Sequence, residues 1–298
     1  MHEHTHGAIV ARMSTNDPLP FMTHAGGSTD LVSLDPDHPG FKDKIYRQRR
    51  EEIARLALNY RPDQPVPFVD YTPQEHAVWN EVHTQLFPLH KERACQEIND
   101  LQRVLPLSPS QIPQIKDINQ RLKNTSGFRI EPVAGLVVAR TFMRYLGNQI
   151  FLSTQYMRHH SRPLYTPEPD IIHELVGHAA TLAHPAIAEL SRVLGAAVAS
   201  ATELEIKRLD RIYWYTLEFG LVEEKGQIKA FGAGLLSSIS ELKEFDSHAS
   251  LQRWDLDKIA ETDFDPTSYQ DTLFVAPSFT HLICDVTAWV RTGRWRSM

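Results

Sequence analysis

The sequence predicts one mainly α-helical domain with a few short β-strands. Apolar residues recur at helical spacing through most of the 298 residues, and runs that alternate like strands are few and short. No internal repeat appears, and no linker after residue 40 is long enough to divide the chain. Residues 1–40 mix Gly, Pro, Ser, Asp and His without a period, which predicts a flexible N-terminal arm. Residues 41–298 are expected to form a single domain.

The first half of that domain is predicted to be helical, with one strand. Ile45 to Tyr60 keep a helical period, and Thr72-Pro73-Gln74-Glu75 combines an N-cap, a proline at the first helical position and a capping-box glutamate. The helix that starts there should end near Pro88, because proline interrupts helical hydrogen bonding. The remaining expected elements are a helix onward to Val104, a helix over Ile112–Leu122 and a strand over Phe128–Val133.

The second half is also predicted to be mainly helical. Lys225-Gly226 is typical of a hairpin turn between two short strands. The helices expected here are a largely buried one over Thr141–Met157, one that carries the histidine motif described below, one opened by Pro185, one from Thr202 through Glu218, and two that cover Leu235–Lys243 and Ser278–Arg291.

Composition narrows the class of function. The net charge of −6 argues against nucleic acid or an anionic membrane as the main partner. No apolar run approaches the roughly 20 residues of a membrane-spanning helix, and no secretory signal is visible in residues 1–15. Cys95 and Cys284 are the only cysteines, too few for a disulfide framework or a cysteine-based zinc site. We therefore expect a cytoplasmic protein.

The segment from Thr166 to His178 contains the most informative motif. A proline-stiffened entry, Pro167-Glu168-Pro169, leads to Asp170, which is a favourable N-cap residue. His173 and His178 follow on a predicted buried helix, five residues apart. On an ideal α-helix such residues point about 140° apart. They can share one metal ion only if the helix is distorted, and Gly177 is the expected place because glycine weakens a helix.

Two kinds of metal site and one non-metal interpretation are open at this point. Zinc peptidases carry His-Glu-x-x-His with four-residue spacing, and Glu174 could serve as their general base. Two histidines with a carboxylate such as Glu218 form the facial triad of non-heme Fe(II) oxygenases. Glu218 lies among apolar neighbours, where an unpaired carboxylate is costly. Alternatively, the histidines are satisfied core residues and Glu218 pairs with a buried arginine.

Two further segments are candidates for ligand binding. Arg158 closes Thr154-Gln155-Tyr156-Met157-Arg158, and its planar guanidinium suits a substrate carboxylate. Pro132 to Val137 form an apolar turn whose backbone amides near Gly135 could hydrogen-bond a flat heterocycle while Phe142 stacks on it. The simpler interpretations are a basic loop residue for Arg158 and an ordinary core aromatic for Phe142.

Several rare motifs in one order resemble the pterin-dependent aromatic amino acid hydroxylases. The resemblance spans roughly residues 49–285 and is strongest in Asn59-Tyr60-Arg61, Pro132 to Leu136, Thr154 to His159, Tyr165 to His178, Tyr213 to Leu221, and Gly232 to Ser238. It implies a single catalytic domain of that type over residues 41–298, which binds iron and a pterin. It also implies conversion of L-phenylalanine to L-tyrosine by O2 at one non-heme Fe(II), with tyrosine or tryptophan as alternative substrates.

The resemblance also implies a role for individual residues. Fe(II) would be held by His173, His178 and Glu218. Tetrahydropterin would lie near Gly135, Leu136, Val137, Phe142, Glu174 and Tyr213. The amino acid would place its carboxylate on Arg158 and Thr166 and its ring near Pro169, His173, Trp214 and Phe219, with Gly234 and Ser237 lining the same pocket. Tyr60 would lie at a mobile lid. In this family, tryptophan at the position of Trp214 accompanies phenylalanine or tyrosine as substrate.

The sequence departs from the animal members of that family in three places. The arm is too short for their N-terminal regulatory domain, and the end at Met298 leaves no room for their C-terminal tetramerisation helix. We therefore expect a monomer or dimer whose partner is a small amino acid. Where those members have Leu-Ser-Ser, this chain has Val137-Val138-Ala139, so a hydroxyl contact to the pterin is expected to be missing. Outside this class, the alternatives are a zinc metallopeptidase and a non-catalytic sensor.

Overall fold

The computed structural model describes residues 32, 34–62 and 64–296, and helices form most of it. The predicted mainly α-helical fold with few strands is therefore confirmed. The helices are α1 Lys44–Asn59, α2 Pro73–Arg93, α3 Gln96–Val104, α4 Ile115–Thr125, α5 Ala139–Gly147, α6 Ala180–Leu182, α7 Pro185–Ala197, α8 Glu203–Tyr213, α9 Ala233–Ser237, α10 Ile239–His248, α11 Leu256–Glu261 and α12 Phe279–Arg291. Two π-helices, His173–Ala179 and Trp214–Glu218, and a short 3-10 helix, Val198–Ser200, complete the helical elements.

The strands form two small sheets. They are β1 Arg129–Pro132, β2 Ile150–Ser153, β3 Leu221–Glu224, β4 Gln227–Ala230, β5 Ser250–Arg253 and β6 Thr272–Ala276. β1 and β2 pair in parallel, and the second sheet has the order β4-β3-β6-β5. β3 and β4 form the predicted hairpin, in which Lys225 and Gly226 both take positive φ angles, 52° and 74°. Such angles match the twist of a tight hairpin turn.

Most of the expected arm, residues 1–31 and 33, lies outside the described residues. The described part includes a turn from Asp35 to Gly40, in which the His38 side chain is buried. His38 lies 3.6 Å from the Glu168 carboxylate, just before the histidine motif. The division of the chain at residue 40 remains a prediction.

Local signals placed several helix ends correctly. Thr72 forms a full capping box with Glu75, and Thr202 forms another with Glu205. Ser278 caps α12 by accepting a hydrogen bond from the His281 N–H. Each cap satisfies backbone donors that the first turn of a helix leaves without an intrahelical partner.

Several predicted helix boundaries are wrong, including the start at Ile112 of the helix that begins at Ile115. The helix expected over Thr141–Met157 ends at Gly147, because Gln149 takes a φ of 59° and residues 150–153 pair with β1 instead. Pro88 does not end α2, which continues to Arg93, where the next residue bridges to Ala230. The helix expected over Leu235–Lys243 is divided at Ser238, whose extended backbone separates α9 from α10.

One continuous apolar core joins the helices to the four-stranded sheet, with Trp79, Trp289, Tyr215 and Phe231 among its largest fully buried side chains. A smaller cluster of Tyr60, Val133, Ile150 and Leu152 lies beside the two-stranded sheet. Within the described residues, none of the helices combines the length and apolar character needed to cross a membrane.

Candidate metal centre

His173 and His178 converge because the helix that carries them is a π-helix. The segment His173–Ala179 forms hydrogen bonds between residues five apart, which brings side chains with that spacing onto one face. The two Nε2 atoms are 2.9 Å apart. The predicted distortion is thus present, but it extends over the whole segment instead of a kink at Gly177.

Gly177 has a different role from the one expected. A Cβ atom at this position would lie 2.8 Å from the Ala233 carbonyl oxygen and 2.9 Å from the Ala233 Cβ. The π-helix therefore packs against α9 at a separation that only glycine permits. Because α9 also carries Ser237, this close packing positions the two sides of the metal centre relative to each other.

We expect Gly177→Ala to lower the free energy of unfolding by about 1–3 kcal/mol, the usual cost of overpacking a close contact. The contact involves backbone atoms of Ala233, which cannot move aside as a side chain would. Urea denaturation of the metal-free protein measures the effect. Gly135→Ala is the matched control, since a Cβ there meets nothing within 4 Å. Equal stability of the two variants would contradict the packing role.

Glu218 completes the centre from the second π-helix, Trp214–Glu218, which extends α8. Its Oε1 lies 2.9 Å from His178 Nε2, and its Oε2 lies 3.7 Å from His173 Nε2. One ligand atom from each of the three side chains falls within 4.8 Å of the others. The structure therefore brings together the three residues that the sequence had suggested as ligands.

The pKa shifts of His173 and Glu218 favour their metal-binding forms, whereas at His178 the Glu218 carboxylate outweighs burial and raises the pKa, so a metal ion there would displace a proton. Burial, reinforced by the charge on His178, lowers the pKa of His173 to about 4, so its imidazole is neutral. Burial opposes the charged form of Glu218, but the neighbouring His178 outweighs it and lowers the pKa of this carboxyl. A neutral imidazole and an ionised carboxylate are the forms that bind metal.

Ser237 sets the tautomer of His173. The Ser237 hydroxyl donates to the Ala233 carbonyl oxygen at 2.8 Å, so it accepts from His173 Nδ1, also at 2.8 Å. A proton on Nδ1 leaves the lone pair on Nε2, the atom that faces His178 and Glu218. This is the usual outer hydrogen bond of a metal-binding histidine. Ser237, expected to line the substrate pocket, thus also supports the metal centre.

Glu174 is buried behind the same helix. Its Oε1 accepts hydrogen bonds from the Thr154 N–H at 3.0 Å and the Thr154 hydroxyl at 3.1 Å. Burial raises the pKa of Glu174 to about 7. Thr154, at the end of β2, was not expected to contribute, although it begins one of the motifs that carried the family resemblance.

An aromatic series connects the expected pterin residues to the metal centre. The Phe142 ring meets the Tyr213 and Phe151 rings edge-on, each at 5.6 Å between centroids. Tyr213 lies 6.5 Å from the His178 ring, and its side chain contributes to the lowered pKa of the Glu218 carboxyl. Phe151 is another residue that the sequence had not suggested.

The loop between β1 and α5 contains the other residues expected to contact the pterin. Leu136 is 41% exposed, and a Cβ on Gly135 would meet nothing within 4 Å, so this loop borders open space. Val137 packs, together with Phe142, against the cluster formed by Tyr60 and its neighbours. Tyr60 itself, expected at a lid, is only 5% exposed in this conformation. Its mobility remains a prediction.

Arg158 is fixed by Asp170. Its Nε and Nη2 atoms each donate to one Asp170 oxygen at 2.8 Å, and its backbone N–H donates to Asp170 at 2.9 Å. Asp170 also accepts from the His173 N–H at 3.2 Å, which confirms its expected capping role. One buried carboxylate therefore ties the candidate substrate arginine to the first metal ligand, a contact that the sequence did not suggest.

The remaining expected substrate residues divide into two groups. Thr166 and Pro169 form the turn before the π-helix, where the Thr166 hydroxyl donates to the Glu168 carbonyl oxygen at 2.7 Å. Trp214 and Phe219 form an aromatic wall, in which the two rings are 4.8 Å apart, and Gly234 lies against the Phe219 ring. A Cβ on Gly234 would lie 2.7 Å from the Phe219 ring, so glycine permits that ring position.

Two residues of the aromatic wall were not foreseen. Phe264 stacks on Trp214 at 4.2 Å with an interplanar angle of 8°. Gln270 accepts a hydrogen bond from Trp214 Nε1 at 2.9 Å while its amide group donates to the Asp265 and Ser268 carbonyl oxygens. Neither residue lies in a periodic or recognisable motif, so only the loop conformation reveals that together they fix the Trp214 ring.

Comparison with known proteins agrees with this geometry. A sequence profile described as "Biopterin-dependent aromatic amino acid hydroxylase" matches residues 27–294. Phenylalanine-4-hydroxylase of Rattus norvegicus is 44% identical over 84% of this chain and 56% of its own length. Tyrosine 3-monooxygenase of Schistosoma mansoni is 42% identical over 87% of this chain and 57% of its own length. This chain thus spans little more than half of these relatives.

A solved structure shows the same fold. Phenylalanine hydroxylase of Chromobacterium violaceum, in a crystal structure with bound oxidised Fe(III), superimposes with a TM-score of 0.72 at 31% sequence identity. The match covers 78% of this chain and 85% of that protein. The iron in that structure is a property of that protein, and this chain has the side chains for such an ion in His173, His178 and Glu218.

Proposed function

The chain belongs to the family of biopterin-dependent aromatic amino acid hydroxylases, and we propose that it is a phenylalanine 4-monooxygenase that converts L-phenylalanine to L-tyrosine. The observation that carries this proposal is the coupling of two sites through Asp170. The same carboxylate fixes Arg158 and the backbone of His173. A cation suited to a substrate carboxylate is thereby held at a fixed position relative to the metal ligands.

Fe(II) suits the ligand set of this centre. Two imidazoles and one carboxylate, with further positions open, are typical of non-heme iron oxygenases. His173, His178 and Glu218 would hold the ion, while Ser237 orients His173 through a hydrogen bond and Tyr213 favours the ionised form of Glu218. Iron and tetrahydropterin together supply the activation of O2 that ring hydroxylation requires. The chain itself contributes position and exclusion of water.

The pterin is proposed to occupy the open space beside the loop between β1 and α5. Gly135 and Leu136 provide exposed backbone and apolar surface there. Phe142 and Tyr213 offer aromatic faces near the metal ligands. Glu174, whose pKa burial raises to about 7, is suited to hydrogen-bond a ring nitrogen of the heterocycle in either of its protonation states.

Phenylalanine is favoured over tryptophan by the wall that contains Trp214. Phe264 stacks on the Trp214 indole and Gln270 holds its N–H, so this ring cannot move aside easily for a bulkier substrate. Overpacking a rigid pocket is unfavourable, and such a difference in shape usually changes discrimination by about 1–3 kcal/mol. Tyrosine is disfavoured because its hydroxyl would be buried beside the aromatic rings of Trp214, Phe219 and Phe264.

Arg158 and Thr166 are assigned to the substrate carboxylate, and Pro169 to the edge of the ring pocket. The free cysteines Cys95 and Cys284 fit a cytoplasmic location. The partner is a small amino acid, and a monomer or dimer remains the expected assembly.

Formation of tyrosine from phenylalanine is the test of this function. We expect tyrosine only when Fe(II), a tetrahydropterin, O2 and phenylalanine are all present. Phenylalanine is the substrate, O2 supplies the oxygen atom, and the side chains alone cannot activate O2. Omission of each component in turn, with product detected by chromatography, measures the dependence. A peptide substrate with Zn²⁺ is the control for the metallopeptidase alternative. Peptide cleavage without hydroxylation would contradict the proposal.

A further inference from the structure

A second group of potential metal ligands lies outside the catalytic centre. Within the described residues, Asp43, His159 and His160 each place one ligand atom within 4.8 Å of the others. Asp43 precedes α1, and the two histidines directly follow Arg158 in the chain. None of the three has a part in the proposed reaction.

The fixed part of this group has the spacing of a zinc site. His159 Nε2 and Asp43 Oδ2 are 3.3 Å apart. Zinc lies about 2.0–2.1 Å from imidazole nitrogen and 2.0–2.2 Å from carboxylate oxygen. Two such ligands of a tetrahedral ion are therefore separated by roughly 3.4 Å. An ion can bind between these two atoms without a large movement of either side chain.

Both fixed side chains are held by hydrogen bonds through their other polar atom. Asp43 Oδ1 caps α1 by accepting from the Ile45 and Tyr46 N–H groups at 2.9 and 3.0 Å, which leaves Oδ2 directed at His159. His159 Nδ1 lies 2.7 Å from the Ser161 hydroxyl. The same Nδ1 atom also accepts a hydrogen bond from the Ser161 backbone N–H at 3.2 Å. Zinc at Nε2 would therefore require the imidazole proton to move to Nδ1, where the Ser161 hydroxyl can accept it. Such outer contacts orient metal-binding histidines.

The surroundings of His159 restrict its ring. Its exposed fraction is 6%, and the Tyr46 ring packs edge-on against it at 4.8 Å. Tyr46 is itself anchored, because its hydroxyl donates to the Met157 carbonyl oxygen at 3.1 Å. One imidazole is thus already ordered before any ion binds, which lowers the entropic cost of forming the site.

His160 supplies a third, exposed ligand. Its ring lies 4.3 Å from the His159 ring, at an angle of 35°. Being at the surface, it can rotate toward the Asp43 and His159 ligand atoms while remaining accessible to an ion from solution. Two imidazoles and one carboxylate favour a borderline ion such as Zn²⁺ over Mg²⁺ or Ca²⁺, which prefer oxygen ligands.

We propose that Asp43, His159 and His160 bind one Zn²⁺ ion at a site separate from the catalytic iron. Water would occupy the fourth coordination position, since three protein ligands leave it open. The bound ion would join the N-terminus of α1 to the residue that follows Arg158. This proposal does not depend on which aromatic amino acid is the substrate.

Zinc binding by the full-length, iron-loaded protein is the test. His2, His4 and His6 alternate at the N-terminus and could bind zinc themselves, so all measurements use a His2→Gln, His4→Gln, His6→Gln background. The variants to compare are His160→Gln and Asp43→Asn. Asparagine is chosen at position 43 because it is also a good N-cap residue. His281→Gln is the matched control, because exposed His281 lies 3.9 Å from Asp285 but belongs to no three-ligand group in the described part of the chain.

We expect the parent protein to bind one equivalent of zinc by elemental analysis while it retains its iron. His160→Gln and Asp43→Asn should each weaken zinc binding at least about 10-fold in a chelator competition, because each removes one ligand. His281→Gln should bind zinc as the parent does. Absence of stoichiometric zinc, zinc bound only in proportion to lost iron, or unchanged affinity in either ligand variant would overturn the proposal.

Discussion

Glu218→Ala is expected to fold but to lose its bound iron and its product formation. Glu218 supplies the only carboxylate of the three-residue centre, and its oxygens lie 2.9 and 3.7 Å from the two histidine nitrogens. Even outer contacts of a metal site usually change metal affinity 10–100-fold. Loss of a direct ligand should therefore lower iron affinity by more than about 100-fold.

Iron content by elemental analysis and tyrosine formation measure this effect together. Glu223→Ala is the matched control, since Glu223 is an exposed glutamate only five residues away on β3. Circular dichroism verifies that both variants fold. Stoichiometric iron with normal activity in Glu218→Ala would show that Glu218 is not a ligand.

Arg158→Lys is expected to raise the KM for phenylalanine at least about 10-fold, because a hydrogen bond between charged groups contributes roughly 1.5–3 kcal/mol. Two N–H groups of the guanidinium are used by Asp170, which aims the rest of the planar group. Lysine keeps the positive charge but lacks the planar guanidinium. It cannot form two parallel hydrogen bonds to Asp170 and also bind the substrate carboxylate in the same plane.

Steady-state kinetics with phenylalanine measure the change, and thermal denaturation separates binding from stability. Arg162→Lys is the matched control, because Arg162 is an exposed arginine of the same loop. An unchanged KM with a lower melting temperature would mean that Arg158 only stabilises the fold through Asp170.

Elements with strong local signals were predicted well from the sequence. The capping box at Thr72, the helix start at Thr202 and the Lys225-Gly226 turn depend on residues close together in the chain, so the sequence alone specifies them. The metal centre could also be predicted from the sequence, because histidines five residues apart require a distorted helix if they are to share an ion. The π-helix over His173–Ala179 provides that geometry.

The errors arose where tertiary contacts decide the local structure. Residues 150–153 are fully buried and uniformly apolar apart from Ser153, a pattern that a buried strand shares with a buried helix. Pairing with β1 decides between them, and that partner lies some twenty residues earlier. Strands β5 and β6 and helix α11 were missed altogether, and β5 and β6 pair with each other across an intervening helix.

Several contacts of the site could not be derived from any pattern. Asp170 was expected only as a helix cap, and its second role depends on a loop that returns Arg158 to it. Phe264 and Gln270 lie in a loop without periodicity and reach Trp214 only through the path of that loop. The residue types were visible in the sequence, but their proximity is a consequence of the fold.

Product identification from phenylalanine, tyrosine and tryptophan tests the central claim most directly. Each amino acid is supplied to the iron-loaded protein with tetrahydropterin and O2, and kcat/KM is determined for each hydroxylated product. We expect the highest kcat/KM for phenylalanine, with para-hydroxylated tyrosine as its product, because Trp214, fixed by Phe264 and Gln270, limits the ring pocket. The highest kcat/KM for tryptophan or for tyrosine, or mainly meta-hydroxylated product from phenylalanine, would contradict this account.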